Sequence, residues 1–289
     1  MRLFDRVASG EAVYDVNGQR WGIDDGADLL KEFANGATKV VADEAAQYVA
    51  NYDSSLWRID AGDFGLTKPP MDGMWIEWRG ASARRVRGQW IETPRDRHAV
   101  LITSDSQSYD ATLLRGDEMI GVYPVQVKVE FDGSDFGREL VNYEDDELAK
   151  FTEDLTPQEA IATCVMECAP AFMALGWMNS RGVTLRDTGP PARLARARQR
   201  RKQFAGHFYK LLVMDAQSRA AARQAADAAQ SGQRLHMVRG HFKRYTAERP
   251  LFGRYTGQVW HSQHLRGDAG LGTLTNEYHV TARQARVAP

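Results

Sequence analysis

The stretch from Thr156 to Trp177, TPQEAIATCVMECAPAFMALGW, constrains the fold more than any other part of the chain. Thr156 suits an N-cap, Pro157 fits the first helical position, and Glu159 closes a capping box. Apolar residues follow through Ile161, Val165, Met166 and Cys168, and Phe172, Met173, Leu175 and Trp177 carry the hydrophobic face onward. The stretch is predicted to be a central core helix, kinked at Pro170. Cys164 and Cys168, the only cysteines, stand four apart and so share one helical face. A disulfide within one regular turn is geometrically poor. Two thiols without a neighbouring histidine are also a weak metal signal. Buried free thiols in a reducing compartment are expected.

Strand patterns precede this helix. MWIEW (74–78) places Trp75 and Glu77 on one face and Ile76 and Trp78 on the other. RVRGQWIE (85–92), HAVLIT (98–103), ATLLR (111–115) and IGVYPVQVKVEF (120–131) follow with short polar connections. Successive strands without intervening helices predict an antiparallel sheet. Pro124 marks an edge strand or a bulge. Residues 24–52 read as a helix pair or a helix broken at Asn35-Gly36, and 54–70 as turns. The acidic run 131–155 reads as a surface loop with a short helix. The fold class expected is α+β: an antiparallel sheet with a core helix, then a basic helical segment and a C-terminal β-hairpin.

The net charge of −1 conceals a division. Residues 1–180 carry 17 Lys and Arg against 32 Asp and Glu, a net of −15, whereas 181–289 carry 20 against 6, a net of +14. With Gly189-Pro190-Pro191 as a break, an acidic α+β domain over 1–182 and a basic module over 183–289 are expected. Arg193, Arg196, Arg198, Arg200, Arg201 and Lys202 put six cations into ten residues without one acid. They read as a phosphate-binding helix or arm, or as a solvated linker. An Ala-rich helix is expected to continue to Gln230.

From His236 to Gly267 lie four of the seven histidines, five arginines, Lys243, and one acid, Glu248. Phe242, Tyr245, Phe252, Tyr255 and Trp260 are spaced among the cations. Read as a hairpin of 234–245 and 257–265, it aligns Arg239, His241 and Lys243 on one face. Interleaved cations and rings suit phosphates and unstacked bases. The other reading is a hairpin with core aromatics and solvated arginines. The nucleic-acid-binding candidates are Arg196, Arg198, Arg200, Arg201, Lys202, Arg239, Lys243, Arg244, Arg254, Trp260 and Arg266. His241 is a candidate proton-transfer group, with Glu77 as a second. Glu77, lying between two tryptophans, also needs an arginine partner, for which Arg239 and Arg244 are candidates. His261 and His264 are three apart, but no His-x-x-x-His, paired-Cys or Asp-rich motif supports a metal, and no cofactor is expected. Phosphate-loop, GxGxxG and nucleophile-elbow patterns are absent from the sequence.

HMVRGHFKRY followed by QVWHSQHLRG resembles the end of a phage- and plasmid-borne anti-CRISPR family, in which a His/Arg-Arg-Gly-His-aromatic strand precedes a second strand. PPMDGMWIEW (69–78) is similar to that family's Pro-led strand, with Glu77 at its acidic position. The order of parts is similar too, and the matching motifs cover about 40 residues. The positions carried over are Glu77, Arg239, Gly240, His241, Phe242 and Trp260. The resemblance implies an inhibitor that recognises the nascent N-terminal peptide of a type V CRISPR effector nuclease and lowers its mRNA during translation. Relatives occur on mobile elements in hosts without that nuclease, so the target need not be the same. This chain departs in its GxVW turn, its Arg-rich stretch and its tail beyond Gly267.

The function expected is that of a mobile-element protein that binds a protein or nascent peptide, and RNA or the ribosome, to lower target expression. The alternative is a metal-independent ribonuclease built on His241 with Arg239, Lys243 and Glu77. A third reading docks the basic half on an acidic protein. The N-terminal MRLFDRVASGEAVYDV breaks its apolar residues with Arg and Asp, so neither a signal peptide nor a membrane partner is expected, and the cytoplasm is the expected location.

Overall fold

The computed structural model describes residues 2–14, 20, 26–50, 64–86, 89–105, 107–116, 120–131, 137–142, 156–180, 183–187, 196, 200, 208–213, 234–238, 240–261, 264–266 and 268–273. Mixed α and β content is organised around a nine-stranded sheet. In chain order come α1 (Leu3–Ala8), β1 (Val13–Tyr14), α2 (Gly26–Gly36), β2 (Thr38–Val41) and α3 (Asp43–Ala50). Then follow β3 (Gly73–Val86), β4 (Gln89–Ser104), β5 (Ser108–Gly116), β6 (Ile120–Phe131), β7 (Gly137–Asn142), α4 (Pro157–Met178), β8 (Val183–Asp187) and β9 (Phe208–Val213). The remaining strands are β10 (Arg234–Val238), β11 (His241–Tyr245), β12 (Gly257–His261), β13 (His264–Arg266) and β14 (Asp268–Thr273).

The large sheet has the order β1-β6-β5-β4-β3-β2-β9-β8, with β7 also pairing β6. Its centre, β3 to β6, is antiparallel as expected. The sheet as a whole is mixed, because β2 runs parallel to both β3 and β9, and β1 runs parallel to β6. The three short strands read between 74 and 103 are two long ones. A single ladder runs from Gly73↔Thr103 to Val86↔Gln89 and absorbs the Gly80–Ser82 stretch as an irregularity. Thr38–Val41, read as helical, forms β2; its β-branched residues favour extended backbone. Residues 137–142, read as loop, form β7, and Phe208–Val213, read as helix, form β9.

Pro124 is accommodated in a bulge. Opposite β5, the register jumps from Leu114↔Val122 to Thr112↔Gln126. On the other side β1 pairs at Ile120–Gly121 and β7 at Gln126–Phe131, so 122–125 need no ladder partner there. β6 is therefore not an edge strand.

Two helical layers cover the sheet. On one face Leu3, Phe4 and Val7 of α1 and Leu30 and Ala34 of α2 pack with Trp75, Ala99, Leu101 and Leu114. Phe4 meets Trp75 edge-on, ring centroids 5.4 Å apart. Full burial of side chains this large contributes about 1.5–3 kcal/mol each. On the other face lies α4, whose Phe172 packs on Tyr109 of β5 and on Phe64. Trp177 of α4 meets Tyr48 of α3 edge-on.

The cap of α4 is as read. Thr156 Oγ1 accepts from the Glu159 N–H, and the Glu159 carboxylate accepts from the Thr156 N–H at 2.8 Å. The helix continues through Pro170 to Met178. Cys164 and Cys168 are buried free thiols. Burial pushes the Cys164 thiol up to about 12, with Glu167 adding to the shift, and raises Cys168 as well. No described helix is long and apolar enough to cross a membrane.

The chain forms two compact units, Met1–Met214 with Arg244–Val259, and Asp215–Lys243 with Trp260–Pro289. β8 and β9, from the basic side of the boundary expected at 182/183, are strands of the large sheet. The expected Ala-rich helix beyond them falls largely outside the described residues. In the second unit β10 pairs antiparallel with β13 and parallel with β14.

Candidate nucleic-acid interface

Residues 234–245, read as one strand, are two. β10 joins β13 and β14, whereas β11 pairs β12 in a separate two-stranded sheet. His241 and Lys243, alternate residues of β11, keep the common face read for them, and Arg239 lies outside the described residues.

β12 is anchored by a residue the sequence reading left unassigned. Gln258, 8% exposed, accepts the Leu66 N–H on Oε1 at 2.7 Å. Its Nε2 donates to the Gly176 carbonyl at 3.1 Å and to Ser180 Oγ at 3.0 Å. One amide thus ties the strand to the end of α4 and to the segment before β3. Asn179 reinforces the junction, Nδ2 donating to the carbonyls of Leu66, Lys68 and Leu175.

Between the two strands the chain closes on a tight turn. Leu251 and Tyr255 exchange backbone hydrogen bonds of 2.7 and 3.0 Å, and the Arg254 N–H also donates to the Leu251 carbonyl. Phe252 has φ 52° and Gly253 φ 69°, the signs a type I′ turn requires at its two central residues. Glycine, asparagine and aspartate are the residues suited to such positions. A bulky side chain in the left-handed region costs about 1–2 kcal/mol. Phe252 is nevertheless there, and it is 73% exposed. Tyr255 is 46% exposed, and Arg244, Arg249 and Arg254 are also exposed. Arg249 and Arg254 form no ion pair with any described acid. The only acid of the stretch, Glu248, is exposed too.

In the second unit His241 is exposed and stacks on His261, ring centroids 5.3 Å apart and planes within 12°. Trp260, expected to meet a ligand, is 4% exposed and packs on Phe242 at 4.6 Å. Lys243 is exposed. Arg196 and Arg200 are exposed on helical backbone. Arg198, Arg201 and Lys202 lie outside the described residues, and of Arg266 only the strand pairing opposite His236 is described.

No family model matches the chain, and no curated protein matches it.

Glu77 stands elsewhere, 1% exposed on the α1 face of β3. Its partner among the described residues is Arg97 rather than Arg244, Arg97 Nη1 donating to Oε1 at 2.6 Å; Arg239 lies outside those residues. The Leu3 N–H donates to Oε1 and the Phe4 N–H to Oε2, each at 3.1 Å, and Trp75 Nε1 donates to Oε2 at 3.2 Å. Four donors saturate a carboxylate, so this one serves as the N-terminal cap that the Arg2 side chain does not supply to α1. Lys39 is buried on the same side, donating to the Asn35 carbonyl at the end of α2 at 2.8 Å and lying over the Phe4 ring. Burial lowers its pKa.

Behind the opposite face His98, 2% exposed, stacks on Trp78 and has Nδ1 3.7 Å from Glu167 of α4. Burial raises the Glu167 pKa, against the pull of Arg115. Among the described residues no group of three or more His, Cys, Asp or Glu is placed to hold a metal. An open pocket is lined by Lys68, Pro69, Asp72, Ser104, Asp105 and Phe131, without Glu77 or His241 among its walls.

Proposed function

We propose that the protein binds RNA, free or on the ribosome, through the basic turn between β11 and β12, and thereby lowers expression of a target it recognises as a protein or nascent peptide. The supporting observation is the turn itself: an aromatic ring held in solvent beside Arg249 and Arg254, which no described acid neutralises. A cation of this kind binds a phosphate by releasing condensed counterions, which gives the binding a salt signature. The mobile-element setting and the peptide target come from the resemblance to the anti-CRISPR family. The acidic sheet-and-helix region is assigned to the peptide.

The test is binding of a fluorescent single-stranded RNA to the full chain between about 50 and 200 mM salt, where affinity is expected to fall steeply. Affinity that does not change with salt, or no binding at about 50 mM, overturns the reading. Sedimentation with ribosomes then separates free from ribosomal RNA.

The second reading, a metal-independent ribonuclease, is favoured by the stacked His241 and His261, since two adjacent imidazoles can divide the roles of base and acid. Labelled RNA that stays intact in EDTA retires it. Cleavage lost in His241→Ala, with binding retained, supports it.

A further inference from the structure

We infer that Phe252 is a stacking platform for one unpaired base of a single-stranded RNA, with Arg249 and Arg254 holding the phosphates that flank it. The inference rests on the RNA-binding reading above and names the atoms and the strand state that reading leaves open.

Three features of the turn converge on this. The backbone at Phe252 takes a positive φ, which disfavours any β-carbon, and Phe252 is the only non-glycine residue among those described to do so. Its ring is 73% exposed, so burial within the chain does not offset the strain. Strain kept without a local gain points to a role outside the fold. The surroundings then select the partner. Arg249 and Arg254 lie on either side of Phe252 in sequence, and the second exposed ring, Tyr255, follows directly. A flat ring accepts the face of any base, whereas arginines read the backbone without regard to sequence. A protruding ring cannot reach a base face inside an A-form duplex, where the bases are already stacked, so the partner is single-stranded.

The experiment compares a fluorescent single-stranded RNA of mixed sequence with the same sequence as a duplex. Both are titrated into the wild type and the Phe252→Ala, Phe252→Trp and Phe252→Asn variants. Loss of the ring is expected to weaken single-strand binding roughly 5- to 150-fold in Phe252→Ala, the range for one stacked base. Phe252→Trp retains the affinity. Phe252→Asn separates function from folding: asparagine suits the left-handed position, so this variant melts higher than the wild type while binding as weakly as alanine. Arg249→Ala and Arg254→Ala each reduce the dependence of log affinity on log salt by roughly 0.7, the single-strand value for one phosphate. If the wild type binds RNA and all three Phe252 variants bind equally well, the inference falls while RNA binding stands. Equal affinity for the duplex and the single strand also overturns it. If the wild type binds neither RNA, both fall, and a protein becomes the partner to seek at this turn.

Discussion

Glu77 and Arg97 sit diagonally across the β3–β4 ladder, their charged atoms 2.6 Å apart, and the carboxylate that holds Arg97 also holds the first two N–H groups of α1. One side chain therefore fixes a strand pair and a helix together. Removing its charge leaves Arg97, only 18% exposed, without a counter-ion and gives two backbone donors a poorer acceptor.

Glu77→Gln is accordingly expected to destabilise the chain by about 3–5 kcal/mol, the usual cost of breaking a buried pair from one side. Urea denaturation measures it. Under folding conditions the variant binds RNA like the wild type. A folded Glu77→Gln chain of unchanged stability that has lost activity on RNA would instead return this carboxylate to the chemistry.

Gly116 lies under α1. A β-carbon there would stand 2.5 Å from Leu3 Cδ1 and 3.2 Å from Arg6 Nη1. Gly116→Ala must displace Leu3, a fully buried core residue, so a loss of about 1–3 kcal/mol is expected. Faster amide exchange in α1 than in α4 localises the damage, and uniform exchange across both helices contradicts it.

Glu167 gives a pH signature. Burial raises its folded pKa above the ordinary 4.5, so the folded chain holds this proton more tightly than the unfolded one. Stability from this group is complete below the unfolded value and is lost as the pH rises through the folded one. The groups facing the carboxyl are His98 and Arg115 from the sheet and Cys164 and Cys168 from its own helix. Wild type and Glu167→Gln should melt alike near pH 4, and the variant should melt progressively higher toward pH 7. A wild type more stable than the variant at pH 7 shows that the Arg115 and His98 contacts outweigh burial.

Gln258→Leu keeps the bulk of the side chain but strands the Leu66 N–H, while the Gly176 carbonyl keeps the Ser180 hydroxyl as a donor. Leaving such a group unsatisfied costs about 1–3 kcal/mol. Hydrogen exchange at the Leu66 amide should rise first. Protection unchanged there would mean that the strand is held by Val259 and its packing alone.

The local signals in the sequence were the readable ones. Thr156, Pro157 and Glu159 define a helix start within four residues, and the structure has it there. The one-turn spacing of Cys164 and Cys168 sufficed to expect buried thiols. Features decided by distant partners were not legible. Phe208–Val213 is a short apolar run between Arg-rich and Ala-rich stretches, and only its pairing with Lys39–Val41 on one side and Val183–Asp187 on the other makes it a strand. Gly80 and its polar neighbours read as a turn because nothing local reveals that β3 continues past them. Joining those pieces would have placed Arg97 diagonal to Glu77 and found the pair. Gln258 showed no signal at all, since two of its three partners are backbone groups. At Phe252 the ring was visible among the cations, but the sign of φ and the solvent around it were not.

The position of β2 between β3 and β9 has a consequence for synthesis. Lys39–Val41 finds one neighbour within about 40 residues and waits for the other until Lys210 has left the exit tunnel. Through that interval the half-built sheet presents an open lateral edge, a template for pairing with other chains. Cutting the gene at the glycine–proline break would make that transient exposure permanent, so an amino-terminal fragment ending there should aggregate where the intact polypeptide does not.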